Sequence, residues 1–146
     1  MQNDSPTATP FRVFVYGTLM PGERYYRVIC AGRTTAEIPA KIRARLYHLP
    51  EPRNYPGIVE GDDWVLGWIL EFNDHALMLA LDELEDYDPD RPASANEYSK
   101  LQVQTYSREG NPIALADAYF MSEQRIADYR GKPITGRLWQ EDPPRN

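Results

Sequence analysis

The sequence predicts a single domain of the α+β class, and three observations carry that expectation. Residues 40–49 alternate, with Ala40, Ile42, Ala44 and Leu46 on one side and Lys41, Arg43 and Arg45 on the other, which is the period of a half-buried strand. Residues 98–106 and 113–121 are two more β-prone runs, separated by Arg108-Glu109-Gly110-Asn111-Pro112, the pattern of an antiparallel hairpin with a wide loop. Between them lies one strongly amphipathic helix, starting at Asn73 or Asp74, either of which can cap it, and ending near Tyr87.

The remaining elements follow in chain order. Residues 1–10 are polar and end in proline, so they are expected to form a mobile leader, with residues 11–146 as one folded unit. Phe11 to Val15 reads as a short strand that breaks at Tyr16-Gly17-Thr18-Leu19 and Pro21-Gly22. Glu23 to Ala31 is expected to be a short helix. Prolines at 50, 52 and 56 interrupt the chain before a brief extended piece at Ile58 and Val59. Val65 to Phe72 is the next strand, with Gly67 marking a bulge or the close approach of another backbone. The tail after Ser122 is weakly patterned, and Trp139 is expected to pack back on the body. No internal repeat or low-complexity tract is present.

Composition excludes several functions. A chain of 146 residues, 42% hydrophobic, has the size of one globular core. Twenty-two acidic against 16 basic residues leave a net charge of −6, the wrong field for a nucleic-acid partner. The longest apolar run, Ala76 to Leu81, is far short of the ~20 residues a membrane span needs, so no membrane partner is expected. The one cysteine, Cys30, has no internal partner and no histidine at a diagnostic spacing. It reads as a small buried hydrophobe in a reducing compartment, and the cytoplasm is the expected location. His48 and His75 are isolated, and neither a Walker loop nor a dinucleotide fingerprint occurs, so no metal or cofactor is expected. Asp86, Asp88, Asp90 and Glu97 fall at positions 1, 3, 5 and 12 of a calcium loop. However, Arg91 replaces the glycine of position 6, two prolines stiffen the segment and a strand follows, so a solvated acidic loop is the favoured reading.

Two features can carry chemistry. On a wheel of ~100° per residue, Leu77, Leu81 and Leu84 share a face that Met78 and Ala80 widen, and Glu85 falls about 80° from Leu77, between Leu81 and Met78. Asp82, Glu83 and Asp86 turn progressively away. A carboxyl on an apolar face loses water, which raises its pKa and suits it to proton transfer near neutral pH. Equally, Glu85 at the helix end can pair with a Lys or Arg, and periodicity does not separate the two readings. The turn Tyr16-Gly17-Thr18-Leu19 can offer successive N–H groups to an anion or oxyanion, or be an ordinary strand-end turn.

Taken in order, these motifs resemble the γ-glutamylcyclotransferase-like family, with its AIG2-like and γ-glutamylamine cyclotransferase branches. The opening strand and Y-G-T/S-L turn match Val13 to Leu19, with Pro21-Gly22 behind them. The mid-chain Tyr-Pro pair matches Tyr55-Pro56, the helix ending L-D-x-x-E matches Leu81 to Glu85, and the strand Y-x-R-x-x-V matches Tyr98 to Val103. Asp86 departs from the usual glycine, Lys100 from the usual arginine, and the Asp88 to Asn96 loop is longer. The resemblance implies a compact mixed β-barrel with a few flanking helices and a ligand cavity at its mouth. It implies that Glu85 is the catalytic proton carrier. Tyr16, Gly17, Thr18 and Leu19 would hold a γ-glutamyl substrate, with Tyr55, Tyr98 and Tyr119 as further cavity residues whose hydroxyls fix it. The loop and Lys100 would border the ligand. The implied reaction is cyclisation of a γ-glutamyl amine or amino acid to 5-oxoproline with release of the amine. The alternative is a binding or regulatory module that keeps the cavity without the chemistry.

Overall fold

The computed structural model describes residues 10–17, 20 and 30–134. The chain runs β1 (Phe11–Val15), β2 (Ala36–Leu49), β3 (Tyr55–Phe72), α1 (His75–Leu84), β4 (Ser99–Tyr106), β5 (Pro112–Phe120), α2 (Glu123–Asp128) and β6 (Lys132–Pro133). The strand order β3-β1-β5-β4-β2, with β2 pairing back onto β3, closes a five-stranded barrel, and β6 adds to the flank of β2. The β1–β5 pairing is parallel at Val13 and Asp117, and the others are antiparallel. The mixed barrel implied by the resemblance is the observed fold. Closure leaves the five strands without an open sheet edge, and their inward residues, among them Phe14, Ile42, Ile58, Val65 and Ile69, are fully buried.

The boundaries differ from the sequence reading for local reasons. β2 begins at Ala36 and passes through Pro39, which is tolerated because this part of β2 pairs with β3 while its ladder pairing with β4 is confined to Lys41 and Tyr106. The two expected pieces at 58–59 and 65–72 are one strand, β3. The register with β2 jumps from Arg43↔Trp64 to Arg45↔Val59, so the polar residues Glu60-Gly61-Asp62-Asp63 bulge outward while the strand continues. The weakly patterned tail contains α2, whose six residues are too few to display a helical period. Ser122 caps it by accepting from the Arg125 N–H at 3.1 Å, and Ile126 is buried. The expected helix at 23–31 lies outside the described residues except for Cys30 and Ala31, as do the leader to residue 9 and Trp139. Cys30 is buried, which pushes its thiol up to about 11, far from the range of a reactive thiolate.

Two contacts fix the barrel where β1, β2 and β3 meet. Gly67 lies against β1 so closely that a Cβ there would collide with the Val15 carbonyl oxygen and stand 2.7 Å from the Phe14 ring. Gly67 therefore marks the close backbone approach that its place within a strand suggested. Arg108, in the β4–β5 loop, reaches across to donate to the Ala40 carbonyl at 3.1 Å and the Gly67 carbonyl at 2.7 Å, tying the hairpin to the β2–β3 pair. Gly67→Ala should cost about 2 kcal/mol or more in chemical denaturation, because backbone rather than a flexible tip must move. A loss below about 0.5 kcal/mol would contradict the approach described.

Candidate active site

The site forms where the C-terminal end of α1 meets the mouth of the barrel. Asp74 caps α1, its Oδ1 accepting from the N–H groups of Ala76 and Leu77 at 2.9 and 3.3 Å. Leu77, Met78 and Leu81 are buried against the barrel, each contributing about 1.5–3 kcal/mol, and this seating fixes the rotation of the helix. The helix stops at Leu84 rather than near Tyr87, because Asp86 takes a left-handed conformation with φ 51°. That conformation explains why glycine suits the position. Here an aspartate tolerates it, and its carboxylate and carbonyl accept from Arg91 at 3.1 and 2.9 Å. Glu85, the C-cap, still donates its N–H to the Leu81 carbonyl at 3.0 Å, so the wheel holds through it and its carboxyl enters the cavity.

One cavity collects most of the residues expected to form the site. Tyr16, Gly17, Tyr55, Glu85, Tyr98 and Tyr119 all line it, together with Pro56 and Glu97. Thr18 and Leu19 lie outside the described residues. The chain turns at this point, Met20 donating its N–H to the Gly17 carbonyl at 3.0 Å. Two of the motifs touch: a Cβ on Gly17 would stand 2.6 and 2.8 Å from ring carbons of Pro56, a contact that only glycine permits. The Tyr-Gly turn and the Tyr-Pro pair are thus complementary halves of one wall.

The four tyrosines carry a different burden from the one the sequence suggested. Each phenol donates its proton to the protein: Tyr16 to the Tyr119 carbonyl at 2.6 Å, Tyr98 to the Pro56 carbonyl at 2.7 Å, Tyr119 to Asp82 at 2.6 Å, and Tyr55 to the Glu97 carboxylate. What the phenols can still offer is ring surface and, except at Tyr16, whose oxygen is also hydrogen-bonded to the Ile58 backbone, acceptor lone pairs. Burial, above all, pushes all four phenols above the ordinary tyrosine range, so they stay protonated and keep these bonds.

Glu85 is half-buried, surrounded by protein except where it meets the cavity. Loss of water and then the Glu97 charge raise its pKa to about 8. Of the two readings open for Glu85, the inward carboxyl is the one observed. Asp82 is not turned out to solvent. It lies beneath β4 and β5, accepting from Tyr119 and from Lys100 Nζ at 2.9 and 3.1 Å, with both ion-pair side chains less than a fifth exposed. Lys100 is therefore committed to Asp82 and does not line the cavity, contrary to the expectation that it borders the ligand.

Glu97 is the cavity residue that sequence reasoning missed, having been weighed only as a calcium-loop position. Its signal was its place immediately before Tyr98, which the motif already assigned to the wall. The loop from Asp86 to Glu97 is closed by its own bonds: Glu97 N–H to the Asp86 carbonyl at 3.2 Å, and Asn96 to the N–H and carbonyl of Asp88, both at 3.1 Å. Among the described residues no group of three or more His, Cys, Asp or Glu is placed to hold a metal ion. None of the described helices is long and apolar enough to cross a membrane.

Known structures share this architecture. An AIG2-like protein from Mus musculus matches at 18% identity and a TM-score of 0.67, over 95% of this chain and 99% of its own. YkqA from Bacillus subtilis matches at 22% identity and a TM-score of 0.62 over 90% of this chain, which spans only 40% of YkqA. A structure described as a γ-glutamyl cyclotransferase matches at 19% identity and a TM-score of 0.55, over 78% of this chain and 68% of its own. At these identities the likeness establishes the fold. No curated protein matches the sequence. The family model described as γ-glutamyl cyclotransferase, AIG2-like matches residues 13–141, from the first strand through the cavity and beyond α2, and the chain belongs to that family.

Proposed function

We propose that the protein cyclises a γ-glutamyl amine or γ-glutamyl amino acid, releasing 5-oxoproline and the free amine, with Glu85 as proton carrier. The observation that supports this most strongly is the Glu85 carboxyl set in the same cavity as the Tyr16-Gly17 turn, where loss of water raises its pKa. A carboxylate raised in this way is a stronger base than an ordinary glutamate and a better acceptor for the proton the attacking nitrogen sheds.

In the proposed reaction the neutral α-amine attacks the γ-carbonyl carbon of its own molecule and forms the new C–N bond. Ionised Glu85 takes the proton that the nitrogen sheds. The tetrahedral oxyanion is met by backbone N–H groups of Gly17, Thr18 and Leu19. Collapse breaks the bond to the original amide nitrogen, and protonated Glu85 returns the proton to that leaving group. An intramolecular attack draws its effective molarity from a curled, held substrate and needs no side-chain nucleophile. Pro56 against Gly17 keeps the turn in place.

Release of 5-oxoproline from a panel of γ-glutamyl amino acids and γ-glutamylamines is the direct assay. Glu85→Gln should lower turnover ~10²-fold or more, and retained turnover would mean that another group moves the proton. Ligand-induced thermal stabilisation without product would instead identify a binding module.

The pH dependence has two opposite signs. As a base Glu85 must be ionised in the free enzyme, so kcat/KM should rise with pH through about 8. For stability, a carboxyl whose folded pKa lies above its unfolded value of 4.5 binds more protons when folded between those two values. Its contribution is therefore fully present below the unfolded pKa and declines as pH rises to about 8. Glu85→Gln should consequently be more stable than the parent above pH 8 in denaturant titrations. A Glu85→Gln protein that is less stable there would contradict the cost assigned to the charge.

A further inference from the structure

The two halves of the proposed site belong to different elements. Tyr16 and Gly17 follow the end of β1, and Glu85 is the C-cap of α1. The buried Leu77, Met78 and Leu81 seat α1 on the barrel, but apolar contact is non-directional and lets a helix slide a little along its groove. Proton transfer between Glu85 and a substrate held at the turn tolerates little sliding, since a misplacement of ~1 Å can cost on the order of 10²-fold in rate.

A chain of directional bonds joins the two halves. Asp82, about one helical turn before Glu85, is gripped from two neighbouring strands. Lys100 of β4 donates to both of its oxygens at 2.9 and 3.1 Å, and the Tyr119 hydroxyl of β5 donates to Oδ1 at 2.6 Å. Lys100 and Tyr119 stand directly opposite each other in the β4–β5 ladder, so the helix is held at two adjacent points of one hairpin. The connection continues through the backbone of Tyr119, whose carbonyl accepts from the Tyr16 hydroxyl at 2.6 Å. Tyr119 thus holds α1 with its side chain and the residue before Gly17 with its main chain. The path is shielded from water: Tyr16 and Tyr119 are buried, and the Tyr87 ring packs edge-on against Tyr119 with Lys100 Nζ over its face. Hydrogen bonds to a charged group in such surroundings are stronger than exposed neutral ones. Asp82 itself is not among the described residues that line the cavity.

We infer that Asp82 is a positioning residue for the reaction: acting through Tyr119, it sets the separation between the Glu85 carboxyl and the Tyr16-Gly17 turn without touching the substrate. The inference rests on the cyclisation reading and adds to it a residue outside the cavity.

Asp82→Asn and Tyr119→Phe, made singly and together, test the linkage. Asparagine sets an amide N–H group where Asp82 offers Lys100 or Tyr119 an oxygen. Phenylalanine removes the phenol oxygen and leaves the ring, the Asp82–Lys100 pair and the carbonyl that receives Tyr16. Each single change should lower kcat ~10-fold with KM altered less than about 3-fold, the mark of an interaction that matters in the transition state. Because both changes break one link, the double variant should be no slower than the slower single variant. Losses that multiply, a loss carried by KM, or an unaltered kcat would overturn the inference. Absence of 5-oxoproline from the parent protein would count against cyclisation itself, and the linkage is then read without substrate. In 15N-labelled protein, Asp82→Asn should displace the amide resonance of Gly17 together with that of Glu85, and a Gly17 resonance left in place would overturn it. Should Asp82→Asn fail to fold, Tyr119→Phe, which keeps the buried ion pair, gives the same test with the Glu85 amide as reporter, and an unmoved Glu85 resonance would overturn the linkage.

Discussion

Placing the Glu85 carboxyl beside Glu97 inside a ring of tyrosines is the arrangement to which the rest of the molecule is fitted. A carboxylate deprived of water and set near a like charge is unfavourable, and that cost stays confined to it when the other polar groups around it are satisfied. Each phenol around the cavity meets that condition by donating within the protein, and Asp82 is satisfied in turn by Tyr119 and Lys100. Within the described cavity lining the carboxyl pushed upward is Glu85, held between protonated and ionised forms near neutral pH. A tyrosine frame that was itself half-satisfied would spread the cost and leave no defined proton carrier.

The barrel supplies the positions. Tyr16 and Gly17 follow the end of β1, Tyr55 and Pro56 open β3, Tyr98 precedes β4 and Tyr119 lies near the end of β5, so four chain segments converge on one mouth. α1 covers that mouth and delivers Glu85 at its last turn. Closure without an edge keeps the segments in register, and the Gly67 and Gly17 contacts set their spacing through backbone and ring rather than through flexible tips. Sites built on such elements are held more tightly than sites built on loops alone. The long loop from Asp86 to Glu97 is made firm by Asn96 and Arg91 and contributes the second carboxylate.

Much of this was legible in the sequence, and what was not has physical causes. Periodicity placed Glu85 inward because Leu77 and Leu81 define the buried stripe so clearly, and of the two cap candidates, Asn73 and Asp74, the structure uses Asp74. The same wheel turned Asp82 outward, since a helix read alone cannot reveal that β4 and β5 cover its flank with a lysine and a tyrosine. The continuity of β3 was hidden by Glu60 to Asp63, because a polar bulge within a strand looks like a loop until its partner is known. Glu97 escaped for a related reason: its role comes from tertiary contact with Tyr55, 42 residues away, and no local pattern reports that. Tyr16, Tyr55, Tyr98 and Tyr119 line one cavity, while the destinations of their protons depend on tertiary partners that no local pattern reports.

Central to the account is a carboxyl tuned by its surroundings, and its titration can be observed without any substrate. NMR of protein carrying 13C-labelled glutamate side chains, with Glu85→Gln providing the assignment, would follow the carboxyl shift with pH. The account predicts that the Glu85 resonance titrates near 8 and that its midpoint falls when Glu97 is replaced by glutamine. A midpoint at the ordinary glutamate value, unmoved by that replacement, would contradict it.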